Sequence, residues 1–282
     1  IEANQLALPL SSADEQVLFL PLAQIFARAI YMTAMAAGCV TTFSRGTPWL
    51  LGELREHAPT LLVGVPQVFE RIEEQARREF VRGSDRLAKA YDRFAEVARR
   101  RSESRCGGPK LRALDRAELL LADASLFRSV RGVFGRRFRF AVSGGAQMPA
   151  DLVRFFDGAG VPVLEGYGLT EHCAAATVNR VDDCKPGTMG RPMAGVEVRI
   201  ADDGEVLLRS ECVMRGYWKD DEATAKALAG AWLHTGDIGE FDGNYLRITD
   251  RKKDVIVTAG GRAVAPKPLE AQLEASPWIA HA

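Results

Sequence analysis

The chain has 282 residues, 47% of them hydrophobic, and its 37 basic side chains are balanced by 37 acidic ones. That length and apolar content support one large α/β domain or two smaller ones, and zero net charge leaves no overall field to draw nucleic acid, an anionic membrane or an acidic substrate. Five scattered cysteines (Cys39, Cys106, Cys173, Cys184 and Cys212) include no C-x-x-C pair, which argues against a zinc site or a disulfide framework and fits a reducing cytoplasm.

The most apolar segment, residues 17–40, is interrupted by Pro21, Gln24 and Arg28. It is too broken for a spanning helix and is expected to be a strand followed by a buried helix. Nothing resembles a signal peptide, and the chain opens on Ile1 rather than methionine, which suggests a fragment. The runs "CVTTF", "PWLLGELREHAP" and "TLLVGVP" then alternate strand-like and helical patterns, the rhythm of βαβ units around a parallel sheet. From Pro66 the pattern turns helical. Phe69, Ile72, Ala76 and Phe80 form one stripe; after a break at Gly83, Leu87, Tyr91, Phe94 and Ala98 form another, and both are expected in the core. Arginines crowd this region up to "RRRSESR", but Glu70, Glu73, Glu74, Glu79, Asp85 and Glu96 interleave with them, the pattern of a solvated helical face rather than of a nucleic-acid or membrane patch. Beyond the loop "CGGPK" a further helical pattern passes through Leu111, Leu114 and Leu121.

The second half reads as richer in strands, with "FRFAVSGG", "VPVLEGYG", "VEVRIADDGEVLLRS" and "YLRITDRKKDVIV" each ending in Gly, Asp or charged turns. Asp203 and Gly204 in "ADDGEV" are expected to turn a hairpin. The cluster "DRKKD" lies between two apolar strands, as an inter-domain hinge or a hairpin tip.

Two stretches draw the chemistry together. In "AVSGGAQMP", Ser143, Gly144 and Gly145 follow an apolar strand and precede a helix beginning near Pro149; in "LEGYGLTE", Gly166 and Gly168 flank Tyr167. Each alone is compatible with an ordinary turn. Both, however, follow apolar runs that can share one parallel sheet, at whose carboxyl edge ligands gather. Glycines there let a flat ligand approach the backbone, and an aromatic ring suits stacking on a planar heterocycle. Thr170 offers a hydroxyl to a phosphate oxygen, and Glu171 a hard oxygen to Mg²⁺. Asp237, in what reads as a tight Gly-flanked turn of "LHTGDIGEF", can accept both ribose hydroxyls or merely bond its own backbone. Arg251 can reach the same sugar or remain a surface arginine. A nucleotide is the ligand these residue types have in common.

The motifs "YGLTE", "GEVLLRSECVMRGYW", "HTGD" and "DRKKDVIVTAGGRAVAPKPLE" occur in the order found in adenylate-forming enzymes. With "LPLAQIFAR" and "PTLLVGVPQVFERI" added, the chain resembles the long-chain fatty acyl-CoA synthetases over nearly its whole length from Leu20 onward. The resemblance implies an α/β fold in which residues 1–252 are a large domain, incomplete at its N-terminus, of βαβ sheets packed with helices plus a β-rich subdomain. Residues 253–282 would begin a small, mobile α+β C-terminal domain. It also implies a two-step ligase: a fatty carboxylate attacks the α-phosphate of ATP to give acyl-adenylate and pyrophosphate, and the thiol of CoA then displaces AMP. On the matching positions Gly144, Gly145 and Ala146 would line adenine, with Glu165, Gly166 and Gly168 in the same nucleotide-binding set, and Tyr167 would stack on the base. Thr170 would hold phosphate, Glu171 would bind Mg²⁺, and Asp237 and Arg251 would hold the ribose. Lys253 matches the hinge of the small domain, and the loop "TAGGR", with Gly260 and Gly261, would approach the pantetheine arm of CoA.

Departures from the family pattern matter too. Gln24 stands where many relatives carry a histidine near the acyl group. The Ser/Thr/Gly-rich loop that grips the β- and γ-phosphates is not in the chain, and nothing matching G-x-x-x-x-G-K-[ST] replaces it. The expected C-terminal lysine is absent as well, so the 282 residues are expected to be an internal portion of a longer synthetase, poorly active alone. His172 and His234 flank the motif residues, but an already ionised carboxylate needs no general base, so neither is expected to act in acid–base catalysis. Two other readings stay open: a fatty acyl-AMP ligase that passes the adenylate to a carrier protein, and a non-catalytic AMP-binding protein. Fatty acid, ATP and CoA are the expected partners, with no nucleic acid. A lipid-partitioning substrate leaves peripheral membrane contact open, and neither acyl chain length nor oligomeric state is readable.

Overall fold

The computed structural model describes residues 1–254 and, beyond them, Ile256, Val257, Ala263, Val264, Pro266, Leu269, Glu270, Leu273 and Ile279. After a short helix, α1 (Glu2–Ala7), the chain enters the βαβ rhythm: β1 (Glu15–Leu18), α2 (Ile25–Ala36), β2 (Val40–Phe43), α3 (Leu50–His57) and β3 (Leu61–Gly64). A helical excursion follows, made of α4 (Pro66–Val81), α5 (Asp85–Arg105), α6 (Ala113–Ala122) and α7 (Arg128–Phe134), before the chain returns to the sheet as β4 (Phe140–Ser143). Next come α8 (Ala150–Gly158), β5 (Val163–Leu169), β6 (Ala174–Val178) and β7 (Arg191–Pro192), and these strands make one sheet in the order β2-β1-β3-β4-β5-β6-β7.

The first five strands of that order are parallel, with Gly64 opposite Ser143 and Ser143 opposite Glu165, whereas β6 pairs antiparallel with β5 and β7 antiparallel with β6. Side-chain alternation explains why the strands read as continuous apolar runs. Val17, Leu62, Ala141 and Val163 face the layer of α3, α4, α5, α7 and α8, while Leu18, Leu61, Val63, Phe140, Val142 and Leu164 face α2. A parallel sheet covered on both sides needs apolar residues at every position. The heaviest packing is aromatic, with Phe156 meeting Phe69, Phe134 and Phe155 edge to face.

The helical stripes fall largely as the periodicity indicates. Phe69, Ile72, Ala76, Tyr91 and Ala98 are buried, and Arg82 and Gly83, both at positive φ, break α4 from α5. Leu87 differs and lies at the rim. The helical pattern beyond the loop forms α6, in which Leu114, Leu120 and Leu121 are more than half exposed. The interleaved charges pair with one another, Arg78 with Glu74 at 3.5 Å and Arg100 with Glu96 at 3.0 Å and Asp115 at 3.1 Å, as a solvated face requires.

The β-rich portion is a second sheet. It contains β8 (Glu197–Ile200), β9 (Glu205–Arg209), β10 (Leu228–Ala229), β11 (Trp232–Asp242) and β12 (Tyr245–Arg251), ordered β10-β11-β9-β8 with β12 on the other side of β11, and α9 (Asp221–Ala227) precedes β10. The β8–β9 hairpin turns at Gly204, at φ +83°, where the Asp-Gly signal puts it. Among the described residues the last pair is β13 (Ile256–Val257) with β14 (Ala263–Val264). No helix of the described residues is long and apolar enough to cross a membrane.

Candidate functional site

Because β4 and β5 are neighbours in one parallel register, the loops leaving their carboxyl ends face each other. Between them lies a cleft of about 680 Å³. One wall is Ser143, Gly144, Gly145 and Ala146; the other is residues 166–170; Gln24 just before α2, Phe26 in it, Val65 just before α4 and Gln67 in it also line the cleft. The glycines have different local reasons. A Cβ on Gly144 would stand 3.0 Å from the Phe26 ring, and Gly145 is at φ +84°. At Gly168 a Cβ would lie 1.9 Å from the carbonyl oxygen of Ala174. The close pairing of β5 with β6 by itself requires a glycine there, at a position that also borders the cleft.

Tyr167 is buried among Val206, Leu208 and Leu246, residues of the second sheet, and also borders the cleft. Its hydroxyl donates to Asp237 Oδ2 at 2.7 Å, and Asp237 Oδ1 is 3.4 Å from Arg251 Nε. Burial first, and then the Asp237 charge, push the phenol well above its ordinary pKa, so it remains a donor. Asp237 does not sit in a turn. It belongs to the long strand β11 at a bulge, where pairing with β9 jumps from His234–Leu207 to Ile238–Glu205 and Gly236 takes φ +72°. A bulge re-aims a side chain without ending the strand, and in sequence it looks the same as a Gly turn.

Thr170 borders the cleft at the start of a 3₁₀ turn, Thr170–His172, that follows β5. Glu171 Oε1 accepts a hydrogen bond from the Tyr217 hydroxyl at 2.8 Å. That contact, chiefly, raises the tyrosine's pKa. Among the described residues no group of three His, Cys, Asp or Glu side chains could cage a metal. A single carboxylate beside a hydroxyl fits Mg²⁺, which takes one or two protein oxygens and completes its shell with phosphate oxygens and water.

The other expected residues spread outward. Glu165, which is not among the residues lining the cleft, accepts the Gly187 amide at 3.0 Å through Oε2. Burial raises this carboxyl to about 7, against the opposing pull of the Gly187 and Met148 amides and the Arg154 charge. Lys253 is exposed in the turn after β12, and Gly260 and Gly261 lie outside the described residues. His172 is buried, pushed down in pKa by that burial and bonded through Nε2 to Ser210 Oγ at 2.8 Å. Phe26 and Gln67 fall in the two stretches, residues 20–38 and the helix after Val65, whose apolar character in sequence suits them to line an acyl tunnel, and both border the cleft; Tyr217 and Glu205 lie within the motif of residues 204–218, but their partners are far along the chain and sequence gives neither a role.

The model of the AMP-binding enzyme family matches residues 2–218. Over 277 residues the chain is 41% identical to the long-chain-fatty-acid–CoA ligase FadD15 of Mycobacterium tuberculosis, covering 97% of the chain and 45% of that relative. It is 31% identical to fatty acyl-CoA synthetase B of Dictyostelium discoideum, over 94% of the chain and 41% of that protein. The chain thus spans less than half the length of these curated relatives. Among solved structures, O-succinylbenzoate coenzyme A synthetase (MenE) of Bacillus subtilis in complex with AMP superposes with a TM-score of 0.71 at 20% identity, over 99% of this chain and 50% of that one. A Mycobacterium tuberculosis fatty acyl CoA synthetase gives 0.63 at 24% identity, over 99% and 48%. These structural likenesses show a shared fold. The sequence match, running through the whole first sheet and into the second, shows more: the chain belongs to the AMP-binding enzyme family.

Proposed function

We propose that the protein carrying this chain activates a long-chain fatty acid with ATP and transfers it to CoA, giving acyl-CoA, AMP and pyrophosphate. The observation that carries this reading is the hydrogen bond of 2.7 Å from Tyr167, which borders the cleft, to Asp237; it supports a nucleotide whose base meets the ring and whose sugar reaches the carboxylate, with Thr170 on the same cleft wall and Glu171 next to it. A carboxylate is a poor acyl donor until one oxygen becomes a good leaving group, and the phosphoryl step that makes it so needs charge neutralisation. In this reading Gly144, Gly145 and Ala146 flank adenine, Tyr167 stacks on it, Asp237 and Arg251 hold the ribose, and Thr170 donates to phosphate. Bound at Glu171, Mg²⁺ would neutralise phosphate charge. The apolar part of the cleft, between α2 and β4, takes the start of the acyl chain, with Gln24 as a hydrogen-bonding group that cannot titrate. Residues 1–252 form the large domain and Lys253 begins the mobile one. FadD15, 41% identical over the same region, supports the choice of acid and acceptor.

The test is pyrophosphate release by the full open reading frame that contains the chain, with a panel of carboxylic acids, with and without CoA. Release that depends on a long-chain acid, together with a CoA thioester product, is expected. Adenylate accumulating without thioester would instead identify an acyl-AMP ligase, and AMP binding without any acid-dependent release a non-catalytic protein.

A further inference from the structure

Glu205 is nearly fully buried at the start of β9, and its carboxylate gathers donors from three places. Oε1 accepts the Gly236 amide at 2.9 Å; Oε2 is 3.2 Å from His234 Nδ1 and 2.8 Å from Lys252 Nζ. An ionised carboxylate only accepts, so Nδ1 carries the imidazole proton in this contact. Burial pushes this carboxyl up, but Lys252, His234 and the Gly236 amide outweigh it and hold it below the ordinary glutamate value. It is charged and fully engaged.

The place it engages is the β11 bulge that presents Asp237. A bulge leaves ladder groups without strand partners, and here each finds a substitute. The Gly236 amide goes to Glu205, the Gly236 carbonyl accepts the Lys252 amide at 2.8 Å, the Asp237 amide goes to Thr235 Oγ1 at 3.1 Å, and Thr235 Oγ1 itself donates to the Val206 carbonyl at 2.7 Å. Lys252 is fastened once more, with Nζ 2.7 Å from Asp203 Oδ2 in the β8–β9 hairpin. One buried carboxylate therefore sets the backbone one residue before Asp237 and also pins the residue that follows Arg251, the other polar group on the proposed ribose.

We propose that Glu205 is a positioning residue for nucleotide binding: it holds the bulge in the conformation that aims Asp237 at the Tyr167 hydroxyl beside the cleft, and through Lys252 it couples that conformation to the chain leaving β12. The inference rests on the functional reading above. It touches neither the acyl side of the cleft nor the reacting atoms, so its signature is selective for nucleotide.

The experiment uses the full open reading frame, with AMP titrated calorimetrically, steady-state KM measured for ATP and for fatty acid, and hydrogen exchange followed over residues 234–238. Glu205→Gln keeps the shape but loses the charge that binds Lys252. It is expected to weaken AMP about tenfold and raise the KM for ATP by a similar factor, with the KM for fatty acid unchanged. Lys252→Met, a change at a half-exposed side chain, is expected to weaken AMP about threefold and to speed exchange at the Gly236 amide. Unchanged AMP affinity in both variants, or equal rises in the two KM values, would overturn the assignment. Failure of the unmutated protein to bind AMP would overturn the nucleotide reading itself, a separate result visible before any variant is made.

Discussion

At the scale of single residues the proposed chemistry depends on a hydrogen bond that phenylalanine cannot make. Tyr167→Phe keeps the ring that would face adenine and removes the hydroxyl that donates to Asp237 at 2.7 Å. Hydrogen bonds to charged groups contribute about 1.5–3 kcal/mol, so the variant should raise the KM for ATP at least tenfold while kcat changes little. A fall in kcat at constant KM would mean that the hydroxyl acts on the reaction instead. Glu165 allows a test by pH. Its folded-state pKa is raised to about 7 by burial, above the ordinary carboxylate value, so the folded form keeps a proton that the unfolded chain has released. Stability is then highest below the unfolded value and falls as pH rises towards 7. Glu165→Gln cannot titrate. The difference in denaturation midpoint between variant and parent should move in the variant's favour from about pH 4.5 to 7 and then level off; a difference independent of pH would show that the carboxyl is not held protonated. Residue types alone made Thr170, Tyr167 and Asp237 legible as candidates. Glu205 and Tyr217 were not, because the groups they serve, Gly236 and Glu171, lie 31 and 46 residues away and only strand pairing and loop closure bring them together.

At the scale of elements, periodicity read well wherever one face of a helix or both faces of a strand are covered. The alternation of Val17 and Leu18, or of Ala141 and Val142, between two core clusters is what a doubly covered sheet leaves in sequence. At α6 it gives the helix but not its exposure, with Leu114, Leu120 and Leu121 facing outward and Leu119 packed on the core, since spacing reports a stripe and not what covers it. It failed at Asp237, because a Gly-flanked carboxylate has the same local signature in a turn and in a bulge. Gly168 shows the complementary limit: its sequence context suggests ligand approach, whereas the space it saves belongs to β6. Gly168→Ala would set a methyl 1.9 Å from the Ala174 carbonyl oxygen, and backbone cannot yield as a flexible side chain can. The strands must part, at a cost of about 1–3 kcal/mol, and the Tyr167 ring moves with them. A lowered urea midpoint with AMP binding weakened is the expected result; a variant of parental stability that merely loses AMP would return Gly168 to the ligand.

At the scale of the molecule, the cleft is bordered by the seven-stranded sheet, while the carboxylate and guanidinium proposed for the ribose come from the five-stranded one. The two sheets already meet through backbone, with the Met189 amide donating to Leu246 at 2.7 Å and the Leu246 amide to Gly190 at 2.8 Å, and through Tyr167, which belongs to the first sheet but packs in the core of the second. A nucleotide spanning from Gly144 to Asp237 would add a further tie between them. A ligand that binds only the folded state stabilises it by about 2.7 kcal/mol when present at a hundred times its Kd, and that energy reaches every segment that must open for the ligand to leave. AMP should therefore slow hydrogen exchange at β5 and at β11 by the same factor in amides that exchange through global opening, and Asp237→Ala should shrink both effects together. Protection gained by β5 alone would mean that the nucleotide is held by one sheet, with the Tyr167–Asp237 bond no more than a structural contact between the two.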